Sequence, residues 1–181
     1  MSKSAEKILN TAEQLFYVHS INAVGVDLIR DLSGCSKTTM YTYFKNKQHL
    51  VESVLLARDQ KFRASLLKYI ADATGQSAIE KILDWHIQWF KEDDYKGCLF
   101  VRAVAESDAD PIVAEIALKH KMWIKTLIAE HCHFGADVEI LVELIYTLLE
   151  GMISRFLIEG YSENQVKITQ LSLNKIITVL S

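Results

Sequence analysis

The segment from Val26 to Lys47 holds the residues whose types and spacing could do specific chemistry. It reads VDLIRDLSGCSKTTMYTYFKNK, two short helical patterns joined by a turn at Ser33-Gly34-Cys35. In the second pattern Met40 and Phe44 lie four residues apart, so both can anchor one side of a helix in a core. The other positions carry an amine, hydroxyls and phenols: Lys37, Thr38, Thr39, Tyr41, Thr42 and Tyr43.

These groups suit a nucleic acid. Hydroxyls and phenols bind phosphate oxygens, a threonine methyl can contact a thymine methyl, and a lysine can reach guanine acceptors in the major groove. Two short helices with a polar second helix are the layout of a helix-turn-helix, whose second helix enters the major groove. The pattern therefore predicts double-stranded DNA as a partner. Core packing is the alternative for Tyr41 and Tyr43.

The elements that must position this unit are predicted to be helical throughout. Half of the 181 residues are hydrophobic, one is proline and seven are glycine, and apolar residues recur at helical rather than strand spacing. The sequence therefore predicts an all-α protein in which Leu32 and Tyr69 face inward. Helices are predicted over residues 4–20, 26–33, 37–43, 47–73, 77–92, 97–107, 111–130, 137–160 and 162–180.

Charge and cysteine content narrow the class of protein further. Residues 1–50 carry six lysines or arginines against four acids, a net charge of +2, and the whole chain carries −3. A basic head on an acidic body favours phosphate contact at one end only. The three cysteines form no CxxC pair, which is typical of a reducing compartment. The N-terminus lacks a signal-peptide pattern and charges interrupt residues 140–158, so we expect a soluble, cytoplasmic protein without a membrane span.

The segment VDLIRDLSGCSKTTMYTYFKNKQHL resembles the TetR family of bacterial transcriptional regulators. The resemblance covers residues 4–50 specifically and continues in the order of the helices and in GCLF at Gly97. It implies a three-helix helix-turn-helix DNA-binding domain over 1–46 and a helical ligand-binding and dimerisation domain over 47–181. The matching residues are Val26, Ile29, Gly34, Ser36-Lys37, Thr39-Met40-Tyr41, Tyr43-Phe44, Lys47 and Leu50.

The resemblance also implies roles for single residues. Lys37 and Thr38 would reach base edges, and phosphate or sugar would be contacted by Thr39, Tyr41, Tyr43 and Lys47. Lys47 also begins a helix, where free backbone N–H groups favour phosphate. The chain departs from the family pattern at Gly25, Arg30, Ser33 and Thr38, and the last departure bears on which operator is read.

The middle helices carry aromatic and polar residues that could line a cavity for an unknown small-molecule effector. The set is Trp85, His86, Trp89, Cys98, Arg102, His120 and Trp123. Pockets combine apolar walls with a few polar groups, but tryptophan and histidine also occur at the rim of an ordinary core. The resemblance favours the pocket. No cofactor is expected.

Two other functional classes are weaker alternatives. An all-α enzyme could use His86, His120 and Cys98, but no spaced nucleophile, base and orienting group is present. A head that mainly binds protein is the other alternative, and the salt dependence of DNA affinity separates it from a DNA reader.

The sequence His131-Cys132-His133, with Glu130 and Asp137 nearby, contains possible metal ligands. Adjacent residues of a helix point in different directions and no second pair at zinc spacing follows. A helix C-terminus favours histidine through its dipole. We therefore predict no metal site there.

The last two helices are predicted to pair with a second subunit. Residues 137–160 are apolar around more than one face, and Gly151 in mid-helix suggests close approach by another helix. Together with residues 162–180 they could form a two-fold four-helix bundle; completion of the monomer core is the alternative. The combined prediction is a homodimeric, ligand-responsive regulator, most simply a repressor.

Overall fold

The computed structural model describes residues 2–133 and 137–180. Their regular secondary structure is helical throughout, which confirms the all-α prediction and the order of the helices. The elements are α1 (Lys3–Val18), α2 (Val26–Ser33), α3 (Lys37–Tyr43), α4 (Lys47–Ile70), α5 (Gly75–Phe90), α6 (Leu99–Glu106), α7 (Pro111–His131), α8 (Val138–Glu159) and α9 (Glu163–Leu180). No helix of the described residues is long and apolar enough to span a membrane.

The helices form two compact units. The first unit comprises the residues up to Phe62 together with 98–120, and the second comprises 63–97 together with the residues from Lys121 onward. Helices α4 and α7 each contribute residues to both units. The predicted domain boundary between residues 46 and 47 stays a prediction.

The first unit is built on the amphipathic helix α1, which packs against α2 and α3. Helix α1 begins at a capped N-terminus, where the amide of Ala5 donates to the Ser2 hydroxyl at 3.2 Å. Phe16 is fully buried and Tyr17 is 7% exposed, so both side chains pack in this core. The largest buried side chains of this core also include Ile8, Ile29, Met40, Leu50, Leu55 and Leu99.

Two inward-facing predictions are wrong. Leu32 is 62% exposed and Tyr69 is 42% exposed. In both α2 and α4, the residue four positions after a buried anchor is itself buried, whereas the residue three positions after the anchor is exposed. Ser33 is therefore buried behind Ile29, and Ile70 is buried behind Leu66.

The second unit contains α5, α8 and α9, with α8 packed against both of the others. Aromatic residues join α5 to α8: the ring centroids of Phe90 and Phe156 lie 5.1 Å apart. The Tyr95 hydroxyl donates to the carbonyl of Ile153 at 2.7 Å. These contacts fix the loop after α5 to the middle of α8.

Capping patterns in the sequence predict a helix start at Asp110, before Pro111, and another at Ser77, three residues before Glu80. At α7 the prediction is confirmed, because the Asp110 carboxylate accepts from the amide of Ile112 at 2.8 Å. The predicted start at Ser77 is wrong, since α5 begins at Gly75 after an N-cap at Thr74. Gly75 has φ +58°, a left-handed conformation that glycine adopts without strain.

Candidate DNA-binding face

The turn between α2 and α3 has the geometry that its sequence predicts. Gly34 adopts the left-handed conformation, φ 64° and ψ 22°, and ends α2. A residue with a Cβ is disfavoured there, whereas glycine is not. Ser36 then caps α3, since its hydroxyl accepts from the amide of Thr39 at 3.0 Å.

Helix α3 is held by few apolar residues. Met40, 2% exposed, is its buried residue, and Phe44 at its C-cap is 5% exposed. Seven residues are too few for a helix that is stable alone. The conformation of α3 therefore depends on these anchors and on the Ser36 cap.

The rest of α3 is open to solvent. Lys37, Thr38 and Thr42 are exposed, and Thr39 is half-buried. Tyr41 and Tyr43 are 43% and 40% exposed. Core packing, the alternative for the two phenols, does not fit this exposure. Their hydroxyl groups are accessible to a phosphate or sugar oxygen.

Two threonine hydroxyls of α3 are already positioned by local hydrogen bonds. The hydroxyls of Ser36 and Thr39 lie 2.8 Å apart, and that of Thr42 donates to the carbonyl of Thr38 at 2.8 Å. A hydroxyl group has one proton, so the Thr42 hydroxyl must release the Thr38 carbonyl before it can donate to a phosphate oxygen. The face is thus ordered before any ligand arrives.

Charges on α2 flank this face. Arg30 lies between Asp27, at 2.9 Å, and Asp31, at 2.7 Å. Its hydrogen bond to Asp31 is the main cause that raises the pKa of the Arg30 guanidinium. The Nζ atom of Lys37 lies 3.8 Å from a carboxylate oxygen of Asp27. Exposed pairs of this kind are worth about 1 kcal/mol or less, so a phosphate can displace Asp27 from Lys37.

Helix α4 presents a second group of donors where it begins. The Asn46 side chain accepts from the amide of His49 at 2.8 Å, a cap that sequence reasoning missed. The uncapped first amides of a helix are an anion site. Lys47, the first residue of α4, is half-buried, and burial lowers the pKa of its ammonium group.

The predicted ligand residues divide between the two units. Trp85, His86, Trp89 and Trp123 belong to the second unit. His86 is fully buried, with its Nδ1 atom 2.7 Å from the carbonyl oxygen of Ile82. Its ring meets those of Trp85 and Trp89 edge-on, at centroid distances of 5.0 and 6.3 Å.

Trp85 and Trp123 also contact polar or charged side chains. The indole N–H of Trp85 donates to the Ser65 hydroxyl at 3.1 Å. The guanidinium of Arg63 lies 4.8 Å from the ring centroid of Trp123, within the range of a cation–π interaction.

Cys98, Arg102 and His120 belong to the first unit. His120 is buried, with Nδ1 2.8 Å from Asp59 and its ring stacked on Phe100 at 3.7 Å between centroids. Cys98 is 7% exposed. Asp59 and Phe100 were missed because their contacts with His120 join segments far apart in sequence. The proposal that all seven residues line one cavity stays a prediction.

The His131-Cys132-His133 sequence lies at the end of α7. Cys132 is fully buried, and burial raises the pKa of its thiol to about 11. The thiol therefore stays protonated near neutral pH, which disfavours metal binding through sulfur. Within residues 2–133 and 137–180, no three metal-ligating side chains converge.

A long apolar face runs along α8 and α9. Ile140, Leu144 and Ile158 of α8 are 52%, 42% and 80% exposed. Between the helices lies a groove of about 420 Å³ that contains Gly151. Gly151 is exposed, and a Cβ built on it would have no atom within 4 Å. The groove therefore has room for a closely packed side chain. On α9, the exposed apolar residues are Ile168, Leu171 and Val179.

The fold and the α2–α3 geometry define a helix-turn-helix protein. Residues 8–54 match the family model described as bacterial regulatory proteins, tetR family. The helix-turn-helix segment of the chain is thus similar to the DNA-binding part of that family.

Solved structures give the same fold. A TetR-family transcriptional regulator from Streptomyces coelicolor, SCO4454, is 21% identical with a TM-score of 0.86, over 99% of this chain and 97% of that chain. A TetR transcriptional regulator from Legionella pneumophila is 20% identical with a TM-score of 0.81, over 98% of each chain.

The curated relatives match a shorter part. The uncharacterized HTH-type transcriptional regulator Rv1255c of Mycobacterium tuberculosis is 29% identical over 69 residues, which is 38% of this chain. The match spans about a third of that relative's length, 34%.

Proposed function

We propose that this chain is a sequence-specific DNA-binding regulator of transcription, a cytoplasmic repressor that a small molecule releases from its operator. The observation that carries the proposal is the exposed polar surface of α3, built on Met40 in a domain that matches the family. In this proposal residues 1–46 read DNA, and 47–181 bind the effector and a second subunit.

The proposed contacts follow the geometry of α3 and α4. Lys37 and Thr38 stand at the start of α3, the end that meets base edges in a helix-turn-helix. Thr39, Tyr41, Thr42 and Tyr43 supply hydroxyl groups to the backbone. Lys47 and the first amides of α4 supply a further phosphate site.

The proposed assembly is a homodimer through α8 and α9. Large apolar side chains such as Ile140, Ile158 and Leu171 are exposed on these helices, which supports a surface that a partner covers. A two-fold axis lets the same face of each copy cover the other. Such a dimer presents two α3 helices to half-sites about one DNA turn apart.

The proposed effector site uses Trp85, His86, Trp89, Cys98, Arg102, His120 and Trp123. An effector can release DNA only if it binds the low-affinity state better than the DNA-bound state. A screen for molecules that dissociate the operator complex tests this part of the proposal.

Selection of bound duplexes from a random pool tests the DNA-binding part. The affinity for the enriched sequence should fall steeply as salt rises, because phosphate contacts release counterions. The double variant Lys37→Ala, Tyr41→Ala should fold normally and lose affinity by roughly 100-fold, given about 1–3 kcal/mol for each good contact.

The matched control is Lys68→Ala, Tyr69→Ala. It removes the same residue types from an exposed part of α4 outside the helix-turn-helix, so the affinity should not change. Equal affinity in the wild type and the Lys37, Tyr41 variant would refute the proposed face. A wild-type protein that enriches no sequence would refute DNA reading.

A further inference from the structure

Arg102 of α6 is bonded to the end of α1. Its Nη1 atom donates to the carbonyl of Tyr17 at 2.8 Å, and its Nη2 atom donates to the carbonyls of Phe16, at 3.4 Å, and His19, at 2.5 Å. The last carbonyls of a helix lack partners within the helix and attract a cation. The planar guanidinium can bond several of them at once, which an ammonium group does less well.

Glu106, one turn further along α6, holds the connector that follows α1. Its carboxylate accepts from the Ser20 hydroxyl at 2.9 Å and from the amide of Asn22 at 3.2 Å. The Asn22 side chain in turn donates to the carbonyl of Glu106 at 3.0 Å. Arg102 and Glu106 also pair with each other, at 3.9 Å.

The turn after α6 reaches the other side of the helix-turn-helix. The Asp110 carboxylate accepts from the side chain of Gln48, in the first turn of α4. Between Glu106 and Asp110, Asp108 and Ala109 adopt left-handed conformations with φ 48° and 63°. Such conformations are costly for residues with a Cβ and persist only where the surroundings fix them.

Residues 102–110 therefore contact the chain on both sides of the helix-turn-helix, at the connector before α2 and at the first turn of α4 after α3. The start of α2 is weakly fixed, since Gly25 offers it no side-chain cap. Arg102 bonds the end of α1 and Glu106 bonds the connector. Burial lowers the pKa of the Lys47 ammonium group, and the charge of Glu106 partly offsets that effect.

We propose that Arg102 and Glu106 form a clasp that positions α2 and α3 for DNA, without contact with DNA themselves. The proposal rests on the proposed DNA-binding function. In it, loss of the Arg102 contacts loosens the connector over residues 19–25 and misaligns α3 with the major groove.

A positioning role and a general stabilising role predict different results. Loss of stability reduces the folded fraction and lowers the affinity for every duplex by the same factor. Loss of alignment lowers the affinity for the operator more than for unrelated DNA, because base contacts need accurate placement and phosphate contacts do not. The ratio of the two affinities is therefore the decisive measurement.

The experiment uses the full chain, the selected operator duplex and a scrambled duplex of equal length. Arg102→Met should lower operator affinity by about tenfold, as for residues that couple distant sites, and scrambled-duplex affinity by less than about twofold. Amide exchange over residues 19–25 should accelerate. The operator affinity of Arg102→Lys should lie between those of the wild type and Arg102→Met. Lysine keeps the positive charge but lacks the several N–H groups of the planar guanidinium.

Two variants serve as controls. Lys119→Met removes the same charge from an exposed ion pair on α7 and should bind like the wild type. Glu106→Gln keeps an oxygen that can accept from Ser20 and should retain most of the operator preference. If Arg102→Met fails to fold, Ser20→Ala, Asn22→Ala opens the clasp from the exposed connector and should reproduce its loss of preference.

Equal losses for both duplexes, or an unchanged operator affinity, would overturn the clasp. Wild-type protein that enriches no duplex would instead overturn the proposed function, and the positioning role with it. If the wild type binds its operator and every clasp variant binds it equally well, the clasp is wrong and the proposed function stands.

Discussion

The open side of α3 and the face of α8 and α9 are both exposed, yet their chemistry is opposite. The first presents Lys37, Tyr41 and Tyr43, which form hydrogen bonds in water and can exchange them for phosphate. The second presents residues such as Ile158 and Leu171, 80% and 62% exposed, which gain only from exclusion of water. One surface therefore suits a wet, reversible partner and the other a dry, permanent one.

The two surfaces also differ in how they are held. Helix α3 has seven residues and one buried side chain, Met40. Helix α8 has 22 residues with seven buried side chains along its length. A single substitution can therefore disturb the conformation of α3. A substitution on the exposed face of α8 should instead alter the chemistry of that surface and leave the fold intact.

The largest effect is expected for Gly151→Arg. The isolated chain has space at this position, and arginine favours a helix by about 0.8 kcal/mol over glycine. In a dimer the new charge would be buried without a partner, which costs roughly 3 kcal/mol or more, or over 100-fold in the dimer Kd. Sedimentation should show a monomer, and thermal unfolding of the variant should remain cooperative.

The control for this variant is Glu139→Arg, an exposed position on the same helix, which should remain dimeric. If Gly151→Arg also remains a dimer at micromolar concentration, the proposed α8–α9 interface is wrong.

An intermediate effect is expected for Met40→Ala. Truncation of a buried methionine leaves a cavity and should reduce the free energy of unfolding by about 2–5 kcal/mol. DNA affinity should fall together with stability, unlike in Lys37→Ala, Tyr41→Ala, where only affinity falls. Urea titration combined with DNA binding measures both; unchanged stability would show that α3 has other anchors.

The smallest effect is expected for Ser36→Ala. The change removes the N-cap bond to the amide of Thr39 and should cost about 1 kcal/mol of unfolding free energy. Ser172→Ala is the control, since this hydroxyl bonds the carbonyl of Ile168 inside α9 and caps nothing. Equal stability losses in the two variants would argue against a special role for the cap.

Local chemistry made the helix-turn-helix predictable from sequence. Gly34 at the left-handed turn, Ser36 at the cap and Asp110 before Pro111 all act within a few residues of their own position. The same reasoning was wrong at Ser77, because an S-x-x-E pattern inside the first turn of a helix looks the same as one that starts it.

Long-range contacts could not be predicted in this way. The partners of Arg102 at the end of α1 lie 83 to 86 residues away in the sequence, and such contacts leave no periodic pattern in it. The exposure of Leu32 and Tyr69 depends on which neighbour of a buried anchor meets another helix, which apolar spacing alone does not determine.

The three tryptophans of the chain, Trp85, Trp89 and Trp123, all belong to the second unit. The chain therefore carries a natural optical label for that unit and none for the DNA-reading head, whose aromatic groups are tyrosines and phenylalanines. Trp123 lies beside the charge of Arg63, so its emission should respond to small movements there. Selective excitation of indole can thus test for binding of the proposed effector in unmodified protein, while a labelled duplex reports the release of DNA.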